Sequence, residues 1–374
     1  MIEYINLLTE EKHENIWPLL RKGEWKKIDS EKFEYNNLKG VLKRNEWKPV
    51  IGGILPIYPG MIWDSKIKRY IDKPYIPNKL EPGIKTVLTA AEKFFRKYEG
   101  KNIGVQLSGG LDSSIIIGLL KYFNISFCLT GMTTNRYEFR TEKHIQHKLQ
   151  NWSDETILID YEQHLPLSNL HDIPQSQYPD LSVLNYSSEE AMANECKRLG
   201  VEILFTGDGG DNLLAEPIPI DPVNCTWLPQ VFSDSWLAEN VYTPLGIKLV
   251  SFYNDPGIMD AIFTLRLGQK EDNAKLWARD YFKDFIPHEL ANYTYCADFW
   301  GLYIDGLHQV IPEAKELFRI AYEATGHSFF SKEAEKELFD QDLLHAKKEM
   351  YQKIETRVAL AAWLNRLINS EFIS

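Results

Sequence analysis

The run Val105-Gln-Leu-Ser-Gly-Gly-Leu-Asp-Ser-Ser114 constrains the fold of this chain more than any other stretch. The apolar segment Ile103 to Leu107 predicts a buried strand, and Ser113 to Tyr122 predicts a helix that follows almost at once. Ser108, Gly109 and Gly110 form the turn between them. Glycine lets backbone come close to a ligand, and the hydroxyls of Ser108, Ser113 and Ser114 add hydrogen-bonding groups. Free N–H groups at the start of the helix point into the same space and favour an anion. Asp112 sets a carboxylate in the middle of that anion-binding turn. Beside a phosphate chain it needs a cation, and Mg²⁺ is the expected one. The local physics therefore describes nucleotide phosphates and magnesium at a strand-to-helix turn. The Gly-Lys-Ser/Thr ending of a Walker-type loop is missing.

About a hundred residues on, Val201-Glu-Ile-Leu-Phe-Thr206 predicts a second buried strand that ends in Gly207-Asp-Gly-Gly-Asp211. A doubly wound sheet binds its ligands at such strand ends. Two carboxylates on one loop can share a metal or divide roles. The first loop resembles the pyrophosphatase (PP) loop, Ser-Gly-Gly-x-Asp-Ser, of enzymes that split ATP between its α and β phosphates. The second resembles the Gly-Glu-Gly-x-Asp-Glu loop of asparagine synthetases and their relatives, which include β-lactam synthetases and lasso-peptide cyclases. This resemblance implies that Asp211 joins Asp112 as the second magnesium carboxylate. It sets Asp208 near the reacting acyl group as a catalytic residue. It implies nucleotide contacts from Leu107, Ser108, Gly109, Gly110, Asp112, Ser113 and Ser114, from Thr130 and Gly131 at the end of the next strand, and from Thr206 and Gly207. Asn212 stands where those families usually carry a glutamate.

The remaining strands and helices fit the same frame. Ile84 to Tyr98 is an amphipathic helix, with Ile84, Val87, Leu88, Ala91, Phe94 and Phe95 at helical spacing. Phe127 to Gly131 and Glu155 to Ile159 read as strands, and Glu142 to Leu149 and Ser187 to Leu199 as helices. Gly200 stops the last of these. Strand alternating with helix predicts an α/β fold, a doubly wound parallel sheet with helices on both faces. After Asn212 the pattern becomes helical, at Ile258 to Leu267, Ala274 to Phe285 and Asp342 to Ile368. The apolar stripe of the last helix (Leu343, Met350, Ile354, Val358, Ala361, Leu364) reads as core.

Residues 1–80 read as a small strand-and-turn region, and 81–374 as the synthetase domain. In the first part, Ile57 to Trp63 reads as a strand interrupted at Pro59. Tyr58-Pro-Gly60, Trp63-Asp64 and Lys73-Pro-Tyr75 resemble the tail of the glutaminase domain of asparagine synthetases. That domain uses a cysteine exposed after Met removal. Here position 2 is Ile2, so a glutamine-hydrolysing half is not expected.

Net charge is −11, which disfavours a large nucleic-acid footprint. No run is apolar enough to span a bilayer, and the N-terminus has no signal-peptide pattern. Cys128, Cys196, Cys225 and Cys296 are scattered, which argues against a disulfide framework and a structural zinc site. A cytoplasmic protein is expected, and the sequence leaves the oligomeric state open, a homodimer among the options.

A cation is needed where pyrophosphate departs. The late Arg-x-Lys of the family is absent from Asn292 to Trp300. Lys270, Lys275, Lys347 and Arg357 are the replacements on offer, with Lys275, at the start of a helix, as the choice. The resulting expectation is an ATP- and Mg²⁺-dependent amide-forming ligase. It adenylates a small-molecule or peptide carboxylate and passes the acyl group to an amine or ammonia. The alternatives are a non-catalytic ATP-binding partner subunit, an ammonia-dependent asparagine synthetase, and a tRNA-modifying relative. The last usually needs a basic patch or paired cysteines.

Overall fold

The computed structural model describes residues 3–20, 28–38, 48–57, 61–67, 69–72, 78, 80–215, 236–266, 275–293, 299–340 and 348–370. The strands are β1 (Glu3–Asn6), β2 (Lys12–His13), β3 (Ile54–Ile57), β4 (Met61–Asp64), β5 (Arg69–Asp72), β6 (Ile103–Gln106), β7 (Cys128–Thr133), β8 (Glu155–Asp160), β9 (Ile203–Thr206) and β10 (Lys248–Ser251). The helices are α1 (Ser30–Leu38), α2 (Ile84–Arg96), α3 (Leu111–Tyr122), α4 (Arg140–Leu149), α5 (Tyr186–Arg198), α6 (Gly210–Leu214), α7 (Pro256–Arg266), α8 (Leu276–Tyr281), α9 (His288–Ala291), α10 (Trp300–Thr325), α11 (Lys332–Phe339) and α12 (Lys348–Ile368).

The central sheet has five strands in the order β10-β9-β6-β7-β8, and every neighbouring pair is parallel. The chain lays down β6, β7 and β8 in one direction. It then returns through α5 to place β9 on the other side of β6. The winding direction therefore reverses between β6 and β9, at the point where an open α/β sheet leaves a crevice beyond its strand ends. Both glycine-rich loops leave the sheet at this crevice, one after β6 and the other after β9.

Side-chain alternation along the strands fills two cores. Val105, Leu129 and Phe205 face a cluster completed by Phe94 and Phe95 of α2, Ile115 and Leu119 of α3, and Ile262 of α7. Leu204 faces the other cluster, with Ala193 and Cys196 of α5, Phe318 of α10 and Trp363 of α12. Tyr4, Phe33 and Ile54 of the N-terminal region belong to this second cluster, so that region and the C-terminal helices share one core. Its three-stranded sheet runs β2-β1-β3, and among the described residues β4 pairs with β5 as a separate two-stranded sheet. The stretch expected as one interrupted strand thus divides, with Ile54–Ile57 in the first sheet and Met61–Asp64 in the second. Among the described residues no helix is long and apolar enough to cross a membrane.

Several elements have no counterpart in the sequence reading, among them β10 and α10, besides the short helices α1, α9 and α11. β10 is a four-residue edge strand beginning at Lys248, too short and too polar to stand out. The helix α10 runs for 26 residues straight through Pro312. A proline there removes one backbone donor, and only the apolar face of Leu307, Val310, Ala314, Leu317 and Phe318 against the core outweighs that loss. Tyr58–Gly60, Lys73–Tyr75, Cys225, Cys296 and Leu343 lie outside the described residues. Cys128 and Cys196 carry free thiols.

Candidate active site

The first loop is shaped by its own hydroxyls. Ser108 Oγ lies 2.8 Å from Ser113 Oγ and accepts the Gly110 N–H at 3.1 Å. Ser114 Oγ donates to the Gly110 carbonyl at 2.6 Å. Ser113 and Ser114 are buried, so in this conformation their hydroxyls hold the turn instead of facing outward. Gly109 has φ +80°, and a Cβ there would lie 2.3 Å from the carbonyl oxygen of Glu142 on α4. Both the left-handed backbone and the close approach exclude a side chain. The Tyr253 hydroxyl donates to the Asp112 carbonyl at 2.9 Å and anchors the start of α3.

The second loop is built against the first. A Cβ on Gly210 would sit 2.5 Å from Asp112 Cγ, so the absence of a side chain there is what lets the two loops meet. Ser251 at the end of β10 donates to the Asp208 carbonyl at 2.7 Å. The short helix α6 carries Asp211 in its first turn, and its last carbonyls are closed from outside. Arg266 Nη1 donates to Leu213 O and Trp277 Nε1 to Leu214 O, each at 2.8 Å. These two donors satisfy C-terminal carbonyls that the helix itself cannot pair, and the guanidinium also suits the negative helix end.

Asp112 and Asp211 converge on one nitrogen. Lys275 Nζ lies 2.7 Å from each carboxylate oxygen of Asp112 and 2.6 Å from Asp211 Oδ1. The lysine side chain is 10% exposed and that of Asp112 17%, whereas Asp211 reaches in from the surface at 85%. Lys275 precedes α8 with φ +53°, a left-handed conformation that costs a non-glycine residue about 1 kcal/mol or more. Burial works to lower the Lys275 pKa. The two carboxylates outweigh it, and the ammonium is held charged above its ordinary range. Burial likewise pushes the Asp112 carboxyl up, with Asp211 adding to the rise and Lys275 opposing it.

A cavity of about 190 Å³ opens on the other side of the first loop, over the ends of β6 and β7. Leu107, Ser108, Gly131 and Met132 line it together with the edge-on pair Phe139 and Phe299. Gln146 of α4 ties this rim together. Its amide donates to Leu107 O at 3.1 Å, Met132 O at 2.7 Å and Ser108 O at 3.4 Å. Thr130 turns away, its hydroxyl accepting the Cys196 thiol at 3.4 Å, so Gly131 alone of that pair lines the cavity. Thr133, in the cavity wall, and Thr206, at the end of β9, bury hydroxyls that have no hydrogen-bond partner among the described residues.

Glu189, in the first turn of α5, also lines the cavity. It accepts the Tyr242 hydroxyl at 2.6 Å and the Gln106 amide at 3.4 Å. Burial raises this carboxyl to about 7, and the charge of Asp208 adds to the rise. Sequence reasoning missed Glu189, Gln106, Gln146 and Tyr242. In the sequence, Glu189 is an acid at a helix start, which is an ordinary N-terminal preference.

The residues present fit a nucleotide and its metal ion. A strand-end cavity of base size, two unpartnered buried hydroxyls and a side-chain-free turn are what a nucleotide needs to approach. The two converging carboxylates suit a hard cation that draws its other ligands from phosphate. They are not a self-sufficient metal site. Among the described residues no group of three or more His, Cys, Asp or Glu could hold a metal. Of the four cations considered for the pyrophosphate, Lys275 reaches both loops. Arg357 instead pairs with Glu34 at 3.6 Å and stacks on Phe329. Lys270 and Lys347 lie outside the described residues.

Residues 96–216 match the asparagine synthase family model. No curated protein matches the chain. Solved structures that match include the NMN synthetase of Francisella tularensis. It is 12% identical, with a TM-score of 0.27, over 60% of this chain and 92% of that one. The family match spans both glycine-rich loops and the strands that carry them, and over this segment the chain is asparagine synthetase-like.

Proposed function

We propose that this chain is an ATP-dependent amide-forming ligase that adenylates a carboxylate, releases pyrophosphate and passes the acyl group to an amine or ammonia. The asparagine synthase match supports the general part, ATP-using ligase chemistry. The observation that carries the finer reading is the convergence of Asp112 and Asp211, from loops on neighbouring strands, on Lys275.

A carboxylate is a poor acylating agent until one oxygen is bonded to phosphorus. Its attack on the α-phosphorus forms that bond and breaks the α–β bridge, and the electron pair leaves with pyrophosphate. The turn Ser108–Gly110 offers backbone and hydroxyl groups to this leaving group, and Lys275 offers a charged ammonium. Mg²⁺, held by Asp112 and Asp211 together with phosphate oxygens, would supply charge neutralisation there. The second half is attack of the amine on the acyl carbon, with AMP as leaving group. That amine must lose a proton, and Asp208 is the assigned acceptor. Aspartate is one methylene shorter than the family's glutamate, so Asp208 reaches a substrate seated closer to its loop.

The test is product analysis. The chain is incubated with MgATP, a panel of amino acids and short peptides as acids, and hydroxylamine as a surrogate nucleophile. AMP, pyrophosphate and hydroxamate are expected, with turnover abolished in Asp112→Asn and Asp211→Asn. Asp208→Asn should still form the adenylate but slow hydroxamate formation by about 10²-fold or more, as loss of a general base does. Release of ADP and orthophosphate would contradict the reading, and unchanged hydroxamate formation in Asp208→Asn would remove that residue from the role.

A further inference from the structure

We propose that Lys275 is the resident counter-ion of the metal position, and that it restricts the divalent ion to entering as its nucleotide complex. The inference rests on the reading that Asp112 and Asp211 take that ion. An ammonium has three N–H donors, and Lys275 Nζ faces three carboxylate oxygens, both of Asp112 and one of Asp211, at 2.6–2.7 Å. All its hydrogen-bonding capacity is spent on the groups that a metal would need. A bare ion would have to expel this ammonium and strand it, largely buried, without an anion. It would gain only two carboxylates in return, since the described residues offer no third His, Cys, Asp or Glu nearby. A small divalent ion that holds its waters tightly gains little from such a site.

A triphosphate changes both sides of that exchange. Its oxygens complete the shell of the ion it carries, and they give the displaced ammonium a new anion within reach. The left-handed backbone at Lys275 fits this role, because such a conformation persists only where the surroundings hold it. Trp277, two residues after the lysine, is fixed to the helix that carries Asp211, as is Arg266 of α7. Through Trp277 the lysine is therefore braced against the helix that carries its second carboxylate.

The test uses Mn²⁺ without nucleotide, followed by electron paramagnetic resonance of the full chain. The wild type should leave Mn²⁺ free at millimolar concentration. Lys275→Met should bind it at least about tenfold more tightly, and adding Asp112→Asn to that variant should abolish the gain. Lys275→Gln, which keeps a polar side chain of similar length, is read in parallel after circular dichroism shows which variants fold. Mn²⁺ affinity equal to wild type in either folded variant, or tight binding of Mn²⁺ alone by the wild type, would overturn the inference. Titration with Mn²⁺ and α,β-methylene-ATP separates this from the ligase reading: failure of the pair to bind the wild type counts against that reading, not against the lysine.

Discussion

Glu189 is an acid in a place that penalises its charge. In an unfolded chain a glutamate loses its proton near pH 4.5, whereas in the fold burial holds the Glu189 proton to about pH 7. Between those values the folded state binds more protons than the unfolded one, so this residue's contribution to stability falls as pH rises. The full swing is on the order of 3 kcal/mol. Glu189→Gln keeps the shape and an acceptor for Tyr242 but cannot ionise. Its melting temperature should match the wild type near about pH 4, below the unfolded pKa, and exceed it by several degrees near about pH 8. A difference that stays flat across that range would mean the carboxyl is not desolvated as described. Little of this is legible in the sequence, where Glu189 and Glu190 are two acids in the first turns of a helix. The environment of Glu189 comes from Gln106 at a strand end and from Tyr242, more than fifty residues further along. The aspartates differ because their chemistry is announced by adjacent glycines and serines. Lys275 falls between these cases, since the need for a cation was legible and its location was one of four.

Elements hold these residues in place through backbone groups. The Gln146 amide serves three carbonyls at the rim where β6 and β7 end. Gln146→Leu would leave them without that donor in a largely buried setting, at a cost of about 1–3 kcal/mol. Nucleotide-analogue affinity should fall with it, because Leu107 and Met132 shape the cavity. Thermal denaturation and calorimetry read the two effects separately, and full affinity with lowered stability would confine Gln146 to a structural part. Gly210→Ala is a sharper case. The added Cβ would meet Asp112 Cγ at 2.5 Å, so one loop must shift and the paired carboxylates must separate. Loss of nucleotide binding with a near-native melting temperature is expected. Unchanged binding would mean that the contact between the loops is not needed. The strands and helices around β6 and β9 were legible to within one to two residues at most ends, because their apolar runs and glycine stops are local signals. The edge strand β10 and the helix α10 were not. One is held by pairing with β9, the other by packing against α12, and neither cause appears in a short window of sequence.

At the scale of the whole molecule, strand order explains why two loops a hundred residues apart meet. With β6 and β9 adjacent and parallel, the turns that follow them open at the same edge of the sheet, where the winding reverses. The C-terminal portion then contributes Lys275, Arg266 and Trp277 to that edge. The N-terminal region shares a core with α10 and α12 on one face of the sheet. The central claim is that the two loops form a single nucleotide and metal site. Calorimetric titration with α,β-methylene-ATP and Mg²⁺ tests it most directly. The account predicts one magnesium-dependent site per chain, lost in both Asp112→Asn and Asp211→Asn and retained in Asp208→Asn. Binding that survives loss of either metal carboxylate, or no binding by the wild type, would contradict it.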